Sequence, residues 1–473
     1  MKRNTAKNKI RLVEQIFIFA FITLYTLAAA LVSLHRYWQY NAFWYDLGIF
    51  EETVWKLSRL QLPIILNLHP PQGRLVWIDH FNPSSVILTP FYWITDRAEI
   101  ILIAQALFVG LSAGIAYFIS LKTIKNGLVR TSLIVSYLGF VGLQNALFTD
   151  VHNIVFAVLP LMLATWAIYN KKWKLFWLFL LLVLGFQENM AAIGVGLGLF
   201  LILRKERNLK IGLLTIVLSL LWGIFTIKLI IPFLKGASYS YQPFMPVVWH
   251  EWITRFFLPA NMKLKSILVT LATFGFLPIG SISTAPLIIE HYLERFVLNA
   301  AGTRWDLGFH YNALLSPIMF LASVEVIRRL QINKKINKLL PLWGLLTIFI
   351  VIFLHRFYLH GPLMLATHPI FYEHTKRSKF MSDFTSAIPK DGLLMTQNNI
   401  ATHFTHRKTI LLNKQYDKIQ PDVIAVDVRA GQNANNFFPL TPSDSQSLVA
   451  SISADPNYSK NIFTNDQLIF MRK

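Results

Sequence analysis

The chain has no cysteine, and that absence removes disulfides, zinc–thiolate sites and cysteine nucleophiles together. Charge is scarce as well. Only 15% of the 473 residues are charged, against about 25% in an average soluble domain. Acid is the scarcer sign: 24 Asp and Glu face 45 Lys and Arg, a net charge of +21. In a soluble protein that surplus would point to nucleic acid. Here the cations gather in short clusters between apolar runs, and no nucleic-acid-reading motif accompanies them. The P-loop and HExxH patterns are missing too, so nucleotide hydrolysis and zincin chemistry have no support.

What is present is hydrophobicity. Apolar residues make up 54% of the chain, enough to place most of it in lipid. Runs that can cross a bilayer, at about 20 residues or somewhat fewer, fall near 14–34, 99–120, 131–148, 153–169, 174–186, 189–203, 209–232, 266–281, 284–299, 311–330 and 338–357. The first follows Lys2, Arg3, Lys7, Lys9 and Arg11. It is longer than a signal peptide's apolar region of about 7–15 residues, and so reads as a retained span.

The basic clusters set the sidedness. The N-terminus, Lys122-Lys125-Arg130, Lys171-Lys172-Lys174, Arg204-Lys205-Arg207-Lys210 and Arg328-Arg329-Lys334-Lys335-Lys338 read as cytoplasmic. Residues 175–203 then lie between two cytoplasmic clusters and must cross an even number of times. They are too few for two full spans, so two short helices broken at Gln187-Glu188-Asn189 are expected. Likewise 264–299 must form a hairpin, although Glu290, His291, Glu294 and Arg295 make its second arm too polar for a lipid-facing helix. The expected fold is mainly α and polytopic: about 11 spans, N-terminus inside and C-terminus outside.

The transmembrane domain spans 1–357 and includes a long first outer loop, 35–98, with an amphipathic stretch at 47–60 and an interfacial run at 84–94. A second outer loop, 234–263, is rich in Tyr, Trp and Pro. From 358 to 473 hydropathy falls, and short β-like runs occur at Leu393–Met395, Thr409–Leu412, Val423–Val428 and Leu468–Met471. This predicts a small soluble α/β domain on the outer side.

That topology collects the unusual polar residues on one face. Asp46 and His80 lie in the first outer loop with Asp79. Asp150-Val151-His152 and Glu188 sit in outer turns, and Arg304, Asp306 and His310 precede the span at 311. Plainer readings exist for each. Asp46 could N-cap a helix beginning at 47, Asp150 and His152 could belong to an ordinary connector, and His80 and His310 could be structural. Glu188, between two apolar helices, needs a partner such as His152, Arg304 or a metal. Chemically, Asp, Glu and His offer a general base or ligands for a divalent cation, and Arg304 could hold a phosphate. The metal candidates are Asp46, Asp150, His152 and Glu188, with Mg or Mn as the ion.

Several segments together resemble the domain of unknown function 2079 family of bacterial and archaeal polytopic membrane proteins. They are Tyr45-Asp46-Leu47-Gly48-Ile49-Phe50-Glu51 with Trp55, His80-Phe81-Asn82-Pro83, Asp150-Val151-His152, His310-Tyr311 with Pro317, Ile388-Pro389-Lys390-Asp391, and His403-Phe404-Thr405-His406-Arg407. The family tends to carry Lys-Glu-Asp where this chain has Gln187-Glu188-Asn189, so only the central acid is kept. That family looks like the GT-C superfamily, membrane glycosyltransferases that use polyprenyl-phosphate-linked sugars and place an acid just after the first span.

The resemblance implies that Asp46 is the catalytic base, with Glu188, Asp150, His152 and His310 shaping the site and His80 and Arg304 contacting the substrate phosphate. The implied partners are a polyprenyl-phosphate sugar donor, a glycan, lipid or protein acceptor, and the lipids of a prokaryotic cytoplasmic membrane, with no nucleic acid. Two other classes fit the residues: a transporter or flippase of a lipid-linked saccharide, which would also use half-length helices, and a non-catalytic polymer-binding membrane protein.

Overall fold

The computed structural model describes residues 2–299 and 302–473. Helix α1 (Lys2–Trp38) is the first apolar element, and a π-helical turn over Trp44–Gly48 leads into α2 (Ile49–Ser58). A two-stranded hairpin of β1 (Ile64–Ile65) and β2 (Arg74–Leu75) follows, then a 3-10 helix over Pro83–Trp93. The long apolar helix α3 (Glu99–Thr123) comes next. Helices α4 (Gly127–Gly139) and α5 (Val141–Phe148) bend by 42° at Phe140, so the run expected over 131–148 is broken rather than straight.

After α6 (Asn153–Phe156) and α7 (Val158–Tyr169) come α8 (Trp173–Leu184) and α9 (Met190–Leu203). The last two hold 12 and 14 residues, about 20 Å each, well short of a hydrocarbon core of about 30 Å. They meet at residues 185–189, the expected break. Helix α10 (Leu209–Phe225) continues through a π-turn into α11 (Ile231–Lys235). A Cβ on Gly198 would lie 2.7 Å from the Gly212 carbonyl oxygen, and one on Gly212 would lie 2.8 Å from that of Gly198. Two facing glycines thus let the α9 and α10 backbones touch, the way close helix pairs form in lipid.

The remaining membrane-side elements are α12 (Trp249–Phe257), α13 (Ala260–Thr273), α14 (Ala285–Phe296), α15 (Leu315–Leu330) and α16 (Lys334–Phe353). The polar side of α14 is turned inward, with His291 and Arg295 both buried. Among the described residues four stretches are long and apolar enough to cross a membrane: 11–38, 99–123, 209–235 and 334–359, with α4–α5 a fifth if the bent pair counts as one span.

Helices α17 (Pro369–Arg377) and α18 (Lys379–Ala387) lead to a five-stranded sheet. It comprises β3 (Leu394–Thr396), β4 (Thr409–Leu411), β5 (Val423–Asp427), β6 (Tyr458–Thr464) and β7 (Gln467–Arg472) in the order β4-β3-β5-β7-β6. The first three are parallel, and β7 and β6 join antiparallel. The parallel strands are buried at every position and read as continuous apolar runs, as two-sided burial demands. The four expected β runs became β3, β4, β5 and β7. The edge strand β6, Tyr-Ser-Lys-Asn-Ile-Phe-Thr, is exposed beyond its first residue and gave no apolar signal, the usual protection of an open edge.

Candidate functional site

Asp46 is carried by the π-turn between α1 and α2. A Cβ at Gly48 would stand 2.2 Å from Trp44 Cδ1, and Trp44 is fully buried. Glycine is therefore needed for the indole to lie against the turn. No side chain caps this turn or α2, which starts at Ile49, so the capping role for Asp46 is set aside. Its carboxylate instead faces His152, with Oδ1 3.8 Å from Nδ1; 49% of the Asp46 side chain is exposed against 5% of His152.

The Asp150–His152 turn is held from below. Gln105, buried in α3, donates its side-chain amide to the Asp150 carbonyl at 3.0 Å and accepts the His152 backbone N–H at 3.0 Å. The Asp150 carboxylate accepts the Phe43 N–H at 3.2 Å, anchoring the segment that leads to Asp46. Burial, only partly offset by Arg36 and reinforced by Asp46, pushes the Asp150 carboxyl up to about 7. Asp150 thus ties the segment before Asp46 to the turn that carries His152. Gln105 and Arg36 escaped the sequence reading; a lone amide inside the α3 run was the available signal.

The His152 ring stacks on His310, centroids 3.3 Å apart and planes 18° from parallel. Next to it Tyr311 lies 4.0 Å from His310 and takes the guanidinium of Arg304 at 4.9 Å and of Arg295 at 5.3 Å. Arg295 is paired with Glu294 at 3.0 Å, whereas Arg304 has no carboxylate partner among the described residues. Burial lowers the His152 pKa against the pull of Asp46. Burial, then His152 and the nearby Arg295, Arg304 and His80, hold His310 well below its ordinary value. Burial thus disfavours the cationic form of both imidazoles.

Glu188 lies elsewhere than expected. Its partner is neither His152 nor Arg304: Oε1 meets His80 Nδ1 at 2.7 Å and accepts the Tyr239 hydroxyl at 2.5 Å, while Oε2 accepts the Phe81 N–H at 3.1 Å. The carboxylate is 1% exposed. His80 stacks on Tyr241, whose hydroxyl donates to Asp79 at 2.7 Å. Burial opposes both charges, but the pairing prevails, raising the His80 pKa and lowering that of Glu188. Among the described residues no three His, Asp or Glu side chains stand close enough to hold a metal ion together.

The family model for predicted membrane proteins with the domain of unknown function 2079 matches residues 36–462. The chain belongs to that family. None of the curated proteins matches it.

In this family member the separate motif segments meet in space. His406 Nε2 lies 2.7 Å from Glu51 Oε1, which also accepts the Tyr92 hydroxyl at 2.7 Å. Trp55 stacks on the His406 ring at 4.3 Å. Tyr45 N–H donates to Asn398 at 3.1 Å, and Asn67 pairs with Thr409 and Leu411 along β4. The sheet region is thus fastened to the loop bearing Asp46. Glu51 and His406, which no acid–base reasoning singled out, form part of that fastening.

Proposed function

We propose that the chain is a GT-C-like glycosyltransferase that moves a sugar from a polyprenyl-phosphate-linked donor to an acceptor hydroxyl at the outer face of the cytoplasmic membrane. One observation carries this reading: a half-exposed carboxylate, Asp46, set 3.8 Å from a buried imidazole, His152, which stacks on His310. Asp46 takes the acceptor hydroxyl proton as the acceptor oxygen bonds to the anomeric carbon. The anomeric C–O bond to phosphate breaks, and the electron pair leaves with the phosphate. That group gains one negative charge, which Arg304 and the free edge of the His80 ring receive.

Two further features support it. An apolar groove of about 440 Å³ runs along α9, α10 and α14, starting at Ala191 beside the Glu188 turn and edged by Lys228; it suits a prenyl chain. On this reading the short pairs α8–α9 and α13–α14 and the bent α4–α5 complete about eleven crossings. For a divalent cation such as Mg or Mn, Asp46 with His152 is the pair left free, since Asp150 and Glu188 are engaged within the fold. The half-length helices α8 and α9 favour a second reading, a flippase of a lipid-linked saccharide.

The test is transfer of radiolabelled sugar from a polyprenyl-phosphate donor to a membrane acceptor in proteoliposomes. Asp46→Asn should fold normally and lose about 10²–10⁴ in rate, the range for a lost general base. A wild-type rate in that variant overturns the reading. Translocation of the donor without transfer by the wild type would establish the flippase.

A further inference from the structure

The opposite end of the bundle holds a second feature that the glycosyl-transfer reading does not use. A recess of about 1480 Å³ opens where the α3–α4, α7–α8 and α9–α10 connections meet the start of α1 and the end of α15. Ten Lys and Arg line it against three Glu. The three acids are already engaged: Glu14 with Arg130 at 2.7 Å, Glu325 with Arg328 at 2.8 Å, and Glu206 with Arg328 and, at 3.1 Å, Arg204. Seven of the lining cations are exposed with no carboxylate partner among the described residues, Arg11, Lys125, Lys171, Lys205 and Arg207 among them.

A collar of solvated lysines is the ordinary outcome of membrane sidedness. This recess differs in having a built floor. Arg204 is 6% exposed, and its guanidinium lies 4.9 Å from the Tyr169 ring and 5.2 Å from that of Phe200. Its Nε is buried with no acceptor among the described residues. A buried guanidinium donor without an acceptor is costly, and an oxyanion reaching the floor would satisfy it.

We propose that this recess is a binding site for a phosphate-bearing anion. Its size exceeds that of an ordinary small-ligand pocket of about 300–1,000 Å³, so it has room for more than one phosphate group. The guanidinium fork of Arg204 fits phosphate oxygens, while the exposed lysines act as point charges around it. The anion is either a free phosphorylated solute or the headgroup of an acidic lipid; the chemistry of recognition is shared.

Inorganic pyrophosphate titrated into the detergent-purified full chain by calorimetry tests the first source. Nanodiscs of phosphatidylglycerol against phosphatidylcholine, read by thermal stabilisation, test the second. The triple variant K171Q/K205Q/R207Q changes only exposed side chains and should weaken binding about tenfold, the sum of three partly screened contacts. The variant K334Q/K335Q/K338Q removes equal charge at the same end but outside the recess, and should bind as the wild type does. Wild-type affinity should also fall as salt rises from 0.05 to 0.5 M, with about 10 Å of screening length at 0.1 M. Pyrophosphate binding that depends on the recess triple assigns a solute, and phosphatidylglycerol stabilisation with the same dependence assigns a headgroup. Absence of both effects, equal loss in the two triples, or affinity indifferent to salt overturns the proposal.

Discussion

Asp46 keeps half of its side chain open, whereas Asp150 and Glu188 are sealed. Exposure sorts the three acids, all of which looked alike as outer-face carboxylates, into one that can meet a ligand and two that hold the fold. The sealed pair makes separate predictions. Asp150 has a folded pKa of about 7 against an unfolded value near 3.8, so between those values the native state binds the extra proton. Stability contributed relative to an uncharged amide is therefore unaffected below about pH 4 and falls as pH rises toward 7, by up to about 4 kcal/mol. Thermal unfolding of the wild type and Asp150→Asn across pH 4–8 should give curves that separate in that window; parallel curves would refute it. Removing the Glu188 carboxylate leaves the Tyr239 hydroxyl and the Phe81 N–H without their acceptor, so Glu188→Ala should cost about 2–5 kcal/mol in denaturant unfolding, at about 1–3 kcal/mol per stranded donor, and a loss below about 1 kcal/mol would show that the carboxylate contributes little. The residues Asp46, His152, His310 and Arg304 were legible in the sequence as types, with a shared outer face as the expectation. Pairings were not, because His80 and Glu188 lie far apart along the chain and nothing local links them.

Among the elements, the apolar runs translated into helices almost one for one, since lipid leaves the backbone no other way to satisfy its hydrogen bonds. The break at Phe140 was hidden because apolar side chains continue through it, and β6 was hidden because an exposed edge carries polar residues. The join between the sheet and α2 was hidden for a different reason: it rests on a few long-range contacts, His406 with Glu51 and Trp55. His406→Ala removes the ring stack and leaves the fully buried Glu51 with one partner, Tyr92. Its expected effect is faster amide exchange in α2 and β4, with α9–α10 unchanged. Uniform exchange across the chain would mean that the sheet holds by other contacts. In contrast, Gly198→Leu should push α9 from α10, a cost of several kcal/mol from overpacking a close helix pair, visible as a lowered melting temperature with the sheet region unaffected.

The molecule as a whole is polarised along its helices. α3 and α15 each run between an acid–histidine end and a basic end, from Glu99 to Lys122 and from the His310 turn to Arg328. The hairpin α8–α9 departs from Lys171–Lys172, turns at Glu188 and returns to Arg204. With Lys and Arg at one end, the sidedness rule predicts that end in the cytoplasm and the sheet region outside. The lack of cysteine makes the arrangement directly testable, because any introduced thiol is the only one. Asn461→Cys lies on the exposed face of β6 and Lys335→Cys at the exposed start of α16. A membrane-impermeant maleimide should label the first in intact cells and the second only after permeabilisation. The reverse pattern would turn the Asp46 site toward the cytoplasm, where a lipid-linked donor at the outer face is out of reach. It would then remove the proposed reaction while leaving the anion recess, now external, to be judged on its own titration.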